Sequence, residues 1–280
     1  MTILIIAFFI ILGFIVGSFL NVVVFRMRSG MGISGRSECL SCRKTLGWWE
    51  LVPIVSYCML RGKCASCRTP FSIQYVLVES ITGILFGIIG LQFLGLAFQN
   101  LSLFIATTLF WIVVTSIMVV IATYDIRHKV IDGSFLIAFT ILVLIGVLFG
   151  DFSHGFFAIT GWQGIGIGPF VSALLVSAPF FILWLLSRGA WIGFGDIEIM
   201  ALFGLAFGLM RGFSAVIFGF WIGALLVILF GLYFWIQSLV VKNKKVVLHS
   251  NQAIPFGPFL FAGFFLVGVL GVNLFSILGV

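Results

Sequence analysis

Long apolar runs alternate with short polar segments along the chain, and most runs are as long as a membrane-spanning helix. A helix needs about 20 mostly apolar residues to cross a bilayer, whereas a barrel strand needs about ten residues of alternating polarity. The runs do not alternate, so they predict helices. They cover residues 3–25, 73–98, 101–123, 134–150, 168–187, 197–210, 213–236 and 255–279. We therefore expect an all-α polytopic membrane protein with about eight transmembrane helices, of which 197–210 is short for a full crossing.

Composition excludes a soluble protein. Hydrophobic residues make up 62% of the sequence and charged residues only 8%, which leaves too little polar surface for a chain in water. The net charge of +7 predicts a basic rim beside anionic lipid, because no motif for reading nucleic-acid bases is present. Membrane lipid is thus an expected partner, and nucleic acid is not.

The basic residues predict the orientation of the chain in the membrane. Counting loops alternately from the first places all but one of the 15 lysines and arginines on one side, with Arg211 opposite. Because positively charged loops remain in the cytoplasm, this side is predicted to be cytoplasmic, with both chain ends outside.

The one long polar segment, Arg26 to Ser72, contains all five cysteines. Cys39-x-x-Cys42 and Cys64-x-x-Cys67 are separated by 21 residues, close to the spacing of a four-thiolate zinc ribbon. Such a site replaces the hydrophobic core that a small domain lacks, and four protein ligands leave no position for water. The sequence therefore predicts structural zinc and three parts: a first helix over 1–25, a zinc-ribbon-like insert with four cysteine ligands over 26–72, and a helical bundle over 73–280.

Two further expectations concern the five cysteines. The alternative to zinc is a pair of disulfides, which suits an extracellular loop but not the reducing cytoplasm. The fifth cysteine, Cys58, lies in the apolar stretch Leu51–Leu60, which predicts a buried, unreactive thiol.

Two of the eight acidic residues, Asp125 and Asp196, follow or begin apolar runs on the predicted cytoplasmic side. A carboxylate beside hydrocarbon is costly and is often functional. If the two meet, they share a proton, so that one deprotonates water while the other protonates a scissile carbonyl. Gly193 and Gly195 would let a substrate backbone approach Asp196. The alternative for Asp125 is a solvated loop charge paired with Arg127 or Lys129.

Five motifs in order resemble those of the prepilin peptidases, the bacterial type IV leader peptidases, over nearly the full chain. They are Gly17-Ser18-Phe19-Leu20-Asn21-Val22-Val23, the paired CxxC insert with Leu60-Arg61-Gly62-Lys63-Cys64, Asp125-Ile126-Arg127-His128-Lys129, Gly193-Phe194-Gly195-Asp196, and Ile254-Pro255-Phe256-Gly257-Pro258-Phe259. The resemblance implies a multi-pass aspartic endopeptidase of the bacterial inner membrane. Such enzymes cut the basic leader from type IV prepilins and from the related pseudopilins of type II secretion, between Gly and a hydrophobic residue, commonly Phe.

The resemblance also assigns residues. It implies that Asp125 and Asp196 are the catalytic pair and that the zinc ligands are Cys39, Cys42, Cys64 and Cys67. Many members of the family also methylate the new N-terminus with S-adenosylmethionine, using this insert.

The chain departs from the family pattern at two positions. Glu198 replaces the usual Lys two residues after the second aspartate, and Asp132 replaces the usual Pro, which predicts a less rigid turn before the fourth long helix. Two rival functions also fit a polytopic chain. A transporter or proton relay with a zinc-ribbon domain would place its acids at the bilayer midplane, and a membrane scaffold would tolerate the loss of either aspartate.

Overall fold

The computed structural model describes residues 2–27, 35–150, 167–240 and 255–277, and within these ranges it contains helices, turns and two isolated β-bridges but no strand. The expectation of an all-α protein is therefore confirmed. A short 3-10 turn covers Trp48–Leu51. The helices, numbered in chain order, are α1 Thr2–Arg26, α2 Val55–Met59, α3 Gln74–Gln99, α4 Leu101–His128, α5 Gly133–Gly150, α6 Ile167–Ser187, α7 Phe194–Val240, α8 Gly257–Gly268 and α9 Leu274–Ile277.

Five of the described helices are long and apolar enough to cross a membrane: α1, α3, α4, α6 and α7. The shorter helices α5 and α8 are also apolar. Together they make this a polytopic membrane protein, as the apolar runs predicted. Some residues used above for the predicted orientation and motifs lie outside the described residues: Arg28, Ile254, Lys242, Lys244 and Lys245.

Helix α7 consists of two arms that meet at Gly208, where the backbone leaves the helical region with φ 77° and ψ −174°. A Cβ added to Gly212 would lie 2.9 Å from the Gly204 Cα. Residues eight apart on a straight helix are separated by about 12 Å, so the chain folds back on itself at Gly208. The first arm (194–207) and the second arm (209–240) correspond to the predicted runs 197–210 and 213–236.

The chain divides by its internal contacts into two compact units, Met1–Thr123 and Tyr124–Val280. In the first unit, α1 packs closely on α3 along a small-residue face. A Cβ on Gly13 would lie 2.6 Å from the Gly83 Cα, and one on Gly17 would lie 2.8 Å from the Glu79 Cα. This Gly-x-x-x-Gly spacing is typical of closely packed membrane helices. The division into 1–25, 26–72 and 73–280 remains a prediction.

The second unit has an aromatic core around α7. Helices α5, α6 and α8 all pack against α7. Phe264 of α8 contacts Phe203 and Phe207 of the first arm, with ring centroids 4.8 and 4.6 Å apart, and Phe139 of α5 at 5.5 Å. All four rings are buried. This core joins α5 and α8 to the first arm of α7, in whose first turn the candidate catalytic residue Asp196 lies.

Candidate active site and cysteine cluster

Asp125 lies in the last turn of α4 and is only 6% exposed. Its backbone carbonyl accepts a hydrogen bond from the Lys129 N–H at 2.7 Å, and Lys129 adopts a left-handed conformation that ends the helix. The carboxylate Oδ2 accepts a hydrogen bond from the backbone N–H of Gly257 at 3.0 Å. Asp125 is thus a buried side chain held by a distant backbone amide, rather than a solvated loop charge.

Asp196 lies in the first turn of α7 and is partly buried. The Gly193 N–H donates a hydrogen bond to its carboxylate, and the negative charges of Asp125 and Asp196 are close enough to interact electrostatically. The structure therefore brings together two carboxylates that are 71 positions apart in the sequence. Two neighbouring carboxyl groups can share one proton, which is the arrangement that acid–base hydrolysis requires.

The two glycines of the Gly193-Phe194-Gly195-Asp196 motif contact different groups. A Cβ on Gly193 would lie 3.2 Å from Asp196 Oδ2, and one on Gly195 would lie 3.0 Å from the Ile131 Cδ1. Neither glycine has a left-handed φ. What they provide is space: Gly193 beside the carboxylate, and Gly195 against the loop that follows Asp125. Their predicted role in positioning substrate remains a prediction.

The two departures from the family pattern have distinct environments. Asp132 is buried, and its Oδ1 accepts the Ser134 N–H at 2.9 Å, which caps the start of α5. A side-chain hydrogen bond thus holds the turn that a proline ring would otherwise stiffen. Glu198 is exposed.

The four predicted zinc ligands form one cluster. The Sγ atoms of Cys39, Cys42, Cys64 and Cys67 all lie within 4.8 Å of one another. Each CxxC pair forms the same tight turn: the Cys39 N–H bonds the Lys44 carbonyl at 3.0 Å, and the Cys64 N–H bonds the Thr69 carbonyl at 2.9 Å. The insert therefore presents four sulfurs from two matched turns, as in a zinc ribbon.

The sulfur geometry fits a tetrahedral metal ion. The Sγ atoms of Cys39 and Cys67 are 3.7 Å apart, and a tetrahedron of Zn–S bonds of about 2.3 Å has edges of about 3.8 Å. All four thiols are free rather than joined in disulfides.

The electrostatic setting of the thiols also suits a cation. N–H donors from Cys42 and Ser41 lower the pKa of Cys39, and the Thr69 hydroxyl and amide lower the pKa of Cys67 to about 6. Although the Lys44 N–H also donates to Cys42, desolvation and its neighbouring thiols raise the pKa of Cys42 to about 11. Hydrogen bonds thus favour the thiolate form of Cys39 and Cys67, and a thiolate is the form of cysteine that binds a metal ion.

The prediction that Cys58 is buried is wrong. Cys58 is exposed on the five-residue helix α2, as are Val55 and Met59. The inward side of this helix is formed by Tyr57, whose ring would lie 2.8 Å from a Cβ on Gly62.

Gly257 is the site residue that the sequence did not single out. It lies in a motif quoted for family resemblance, but its contact with Asp125 spans 132 positions. The available signal was the Gly-Pro step at a predicted helix start, because Pro is common in a first turn and the first N–H groups of a helix have no partner within it.

Comparison with known proteins agrees with the motifs. Residues 11–93 match the family described as the bacterial peptidase A24 N-terminal domain. A protein of Bacillus subtilis named prepilin leader peptidase/N-methyltransferase is 29% identical over 95% of this chain and 94% of its own length. The chain is related to the prepilin leader peptidases.

Other relatives carry the same name. The Neisseria gonorrhoeae protein is 28% identical over 74% of each chain, and the Pseudomonas aeruginosa protein is 26% identical over 90% of this chain and 85% of its own length. The resemblance found in the motifs and the prediction of an enzyme of this kind are confirmed. No solved structure matches the chain.

Proposed function

We propose that this protein is a membrane aspartic endopeptidase in which Asp125 and Asp196 form the catalytic pair. The observation that carries the proposal is the meeting of these two carboxylates at the ends of α4 and α7. Both lie in terminal turns of their helices rather than midway along a span, which is where a transporter would need them.

The pair suits peptide hydrolysis by acid–base catalysis. The ionised carboxylate takes a proton from water as the water oxygen bonds to the scissile carbonyl carbon, and the protonated partner gives its proton to the carbonyl oxygen. A tetrahedral diol results. When it collapses, the C–N bond breaks, the leaving nitrogen gains a proton from the carboxyl that took one from water, and a diol hydroxyl proton returns to the other carboxylate.

We infer that the substrates are prepilins or pseudopilins, cut between Gly and a hydrophobic residue such as Phe on the cytoplasmic side of the bacterial inner membrane. The names of the relatives support this substrate class. The distribution of basic residues supports the orientation, because positively charged loops such as those beside both aspartates usually remain in the cytoplasm.

The insert is proposed to hold structural zinc through Cys39, Cys42, Cys64 and Cys67. The sulfur separations and the free thiols support this assignment. Zinc there would replace a hydrophobic core and would supply no reactive water.

Methylation of the new N-terminus is proposed as a second activity, with S-adenosylmethionine supplying the methyl group. The relatives' names support it. In the insert, Trp48 exposes 82% of its surface, so its ring face is open to a sulfonium cation, whereas Glu50 is buried and accepts the Gly47 N–H. Trp48 is therefore the better candidate contact.

The catalytic assignment is tested by Asp125→Asn and Asp196→Asn. Each variant should lower leader cleavage by about 100- to 10,000-fold, because an amide can neither take nor supply the proton. Purified enzyme in detergent would be incubated with a prepilin, and cleaved product measured by mass spectrometry. Glu198→Gln is the matched control, since it makes the same change at an exposed acid two residues from Asp196, and it should retain cleavage. Wild-type cleavage by either aspartate variant would contradict the assignment.

A further inference from the structure

We propose that Gly257 is a positioning residue for Asp125, and that the first turn of α8 presents one free backbone amide to the Asp125 carboxylate. This inference rests on the proposed function of Asp125. The contact that carries it is the buried hydrogen bond from the Gly257 N–H to Asp125 Oδ2, at 3.0 Å.

The hydrogen bonds of the first turn explain why this amide is available. The first N–H groups of a helix have no partner within the helix. Here Pro258 has no N–H, while the N–H groups of Phe259 and Leu260 both bond the Phe256 carbonyl, at 3.1 and 3.2 Å. Gly257 is thus left as the donor of this turn, and its N–H is directed to Asp125.

Position 257 requires glycine because of space. A Cβ there would lie 2.8 Å from Asp125 Oδ2 and 3.5 Å from Asp125 Cγ. Its φ is not left-handed, so backbone conformation alone would admit another residue. A side chain would therefore displace the carboxylate from the amide rather than unfold the turn.

The amide is backed by a rigid contact between α8 and the second arm of α7. Phe256 packs on Phe220 with ring centroids 4.6 Å apart. A Cβ on Gly219 would lie 3.0 Å from the Leu260 Cα. Because the helices touch backbone to backbone, the start of α8 has little freedom to move with Asp125. The amide thus fixes the carboxylate, and not the reverse.

The amino end of α8 also contributes a partial positive charge near Asp125. Asp125 lies in the last turn of α4, where the partial negative charge of the helix end opposes a carboxylate. The amino end of α8 carries the opposite partial charge and meets the same carboxylate through Gly257. The contact thus holds Asp125 in place and offsets the unfavourable end of its own helix.

The test is Gly257→Ala, with Gly231→Ala as the matched control because a Cβ at Gly231 meets nothing within 4 Å. We expect kcat for leader cleavage to fall about 100-fold in Gly257→Ala, the loss that a displacement of about 1 Å produces at a catalytic group. KM should change little, because Gly257 holds a catalytic carboxylate rather than the substrate. Gly231→Ala should match the wild type in both constants.

A second variant removes the donor without adding a side chain. Glycolic acid incorporated at position 257 by cell-free translation replaces the N–H with an ester oxygen. A lower kcat at unchanged KM in this variant supports the proposal even if Gly257→Ala does not fold. Wild-type kcat in the ester variant, or a loss confined to KM, overturns it.

Asp125→Asn, measured beside these variants, distinguishes the two proposals. If Asp125→Asn is inactive while the ester variant is fully active, Gly257 is not a positioning residue and the catalytic assignment stands. If Asp125→Asn cleaves normally, the catalytic assignment fails, and the role of Gly257 fails with it.

Discussion

Asp125 and Asp196 lie at opposite ends of their helices, where the partial charges of the helix have opposite signs. Asp196 lies in the first turn of α7, where the partial positive charge of the helix end favours a carboxylate, and Asp125 lies in the last turn of α4, where the helix end opposes one. Each is bound by a glycine amide, Gly193 for Asp196 and Gly257 for Asp125. A backbone donor cannot titrate or rotate away, so both carboxylates are held in a fixed geometry before substrate binds.

The exposure of Cys58 leads to a prediction about its reactivity. Because it is exposed while the other four thiols are proposed to bind zinc, a maleimide should label one thiol per zinc-loaded chain. Intact-mass spectrometry of the protein in detergent would count the labels. Cys58→Ser should take none and should cleave prepilin normally. Labelling of Cys58 only after denaturation would contradict its exposure.

The wrong prediction for Cys58 has a physical cause. An apolar stretch predicts burial only where there is a core to cover it, and α2 has just five residues. Tyr57 occupies the side that packs on Gly62, so its neighbours Cys58 and Met59 are left outside. For the aspartates, counting helices predicted that both lie on one side of the membrane. The contact between Gly257 and Asp125 could not be predicted in this way, because it depends on how the helices fold together.

At the scale of elements, the length of the apolar runs predicted the helices better than the turns between them. The runs 3–25, 73–98 and 168–187 agree with α1, α3 and α6 within about two residues. In contrast, 255–279 forms the short helices α8 and α9 rather than one long helix. Hydrophobicity there continues through Gly271, whose left-handed φ of 69° lies between the two helices, so composition alone could not mark the break.

The reversal at Gly208 predicts a stability effect. Its φ of 77° and ψ of −174° lie in a region that is essentially restricted to glycine. Gly208→Ala should lower the free energy of unfolding by about 1–3 kcal/mol, because the Cβ adds strain at the turn between the arms. Unfolding in detergent would be followed by circular dichroism. Gly231→Ala, on the second arm and in open space, should not be destabilised; equal stability of the two variants would contradict the strained turn.

On the scale of the whole molecule, the two proposed chemistries lie in different compact units. The cysteine cluster and Trp48 belong to Met1–Thr123, whereas Asp125, Asp196 and Gly257 belong to Tyr124–Val280. The family match over residues 11–93 falls within the first unit. The contacts of Asp125 with Gly257 and of Asp196 with Gly193 lie within the second unit, so loss of the metal should leave them in place.

This separation predicts that removing zinc affects methylation more than cleavage. Cys39→Ser/Cys42→Ser should lose the metal, because two sulfurs remain of four, and a small insert without its metal loses its folding energy. Wild-type protein should contain about one zinc per chain by elemental analysis, and the double variant close to none. With prepilin and S-adenosylmethionine supplied, mass spectrometry of the mature product should show cleavage by both proteins and an N-terminal methyl group from the wild type only.

Cys58→Ser controls for the loss of a thiol outside the cluster. Loss of cleavage and methylation in equal proportion would show that the two units do not act separately, and an unmethylated product from the wild type would leave the protein a peptidase alone.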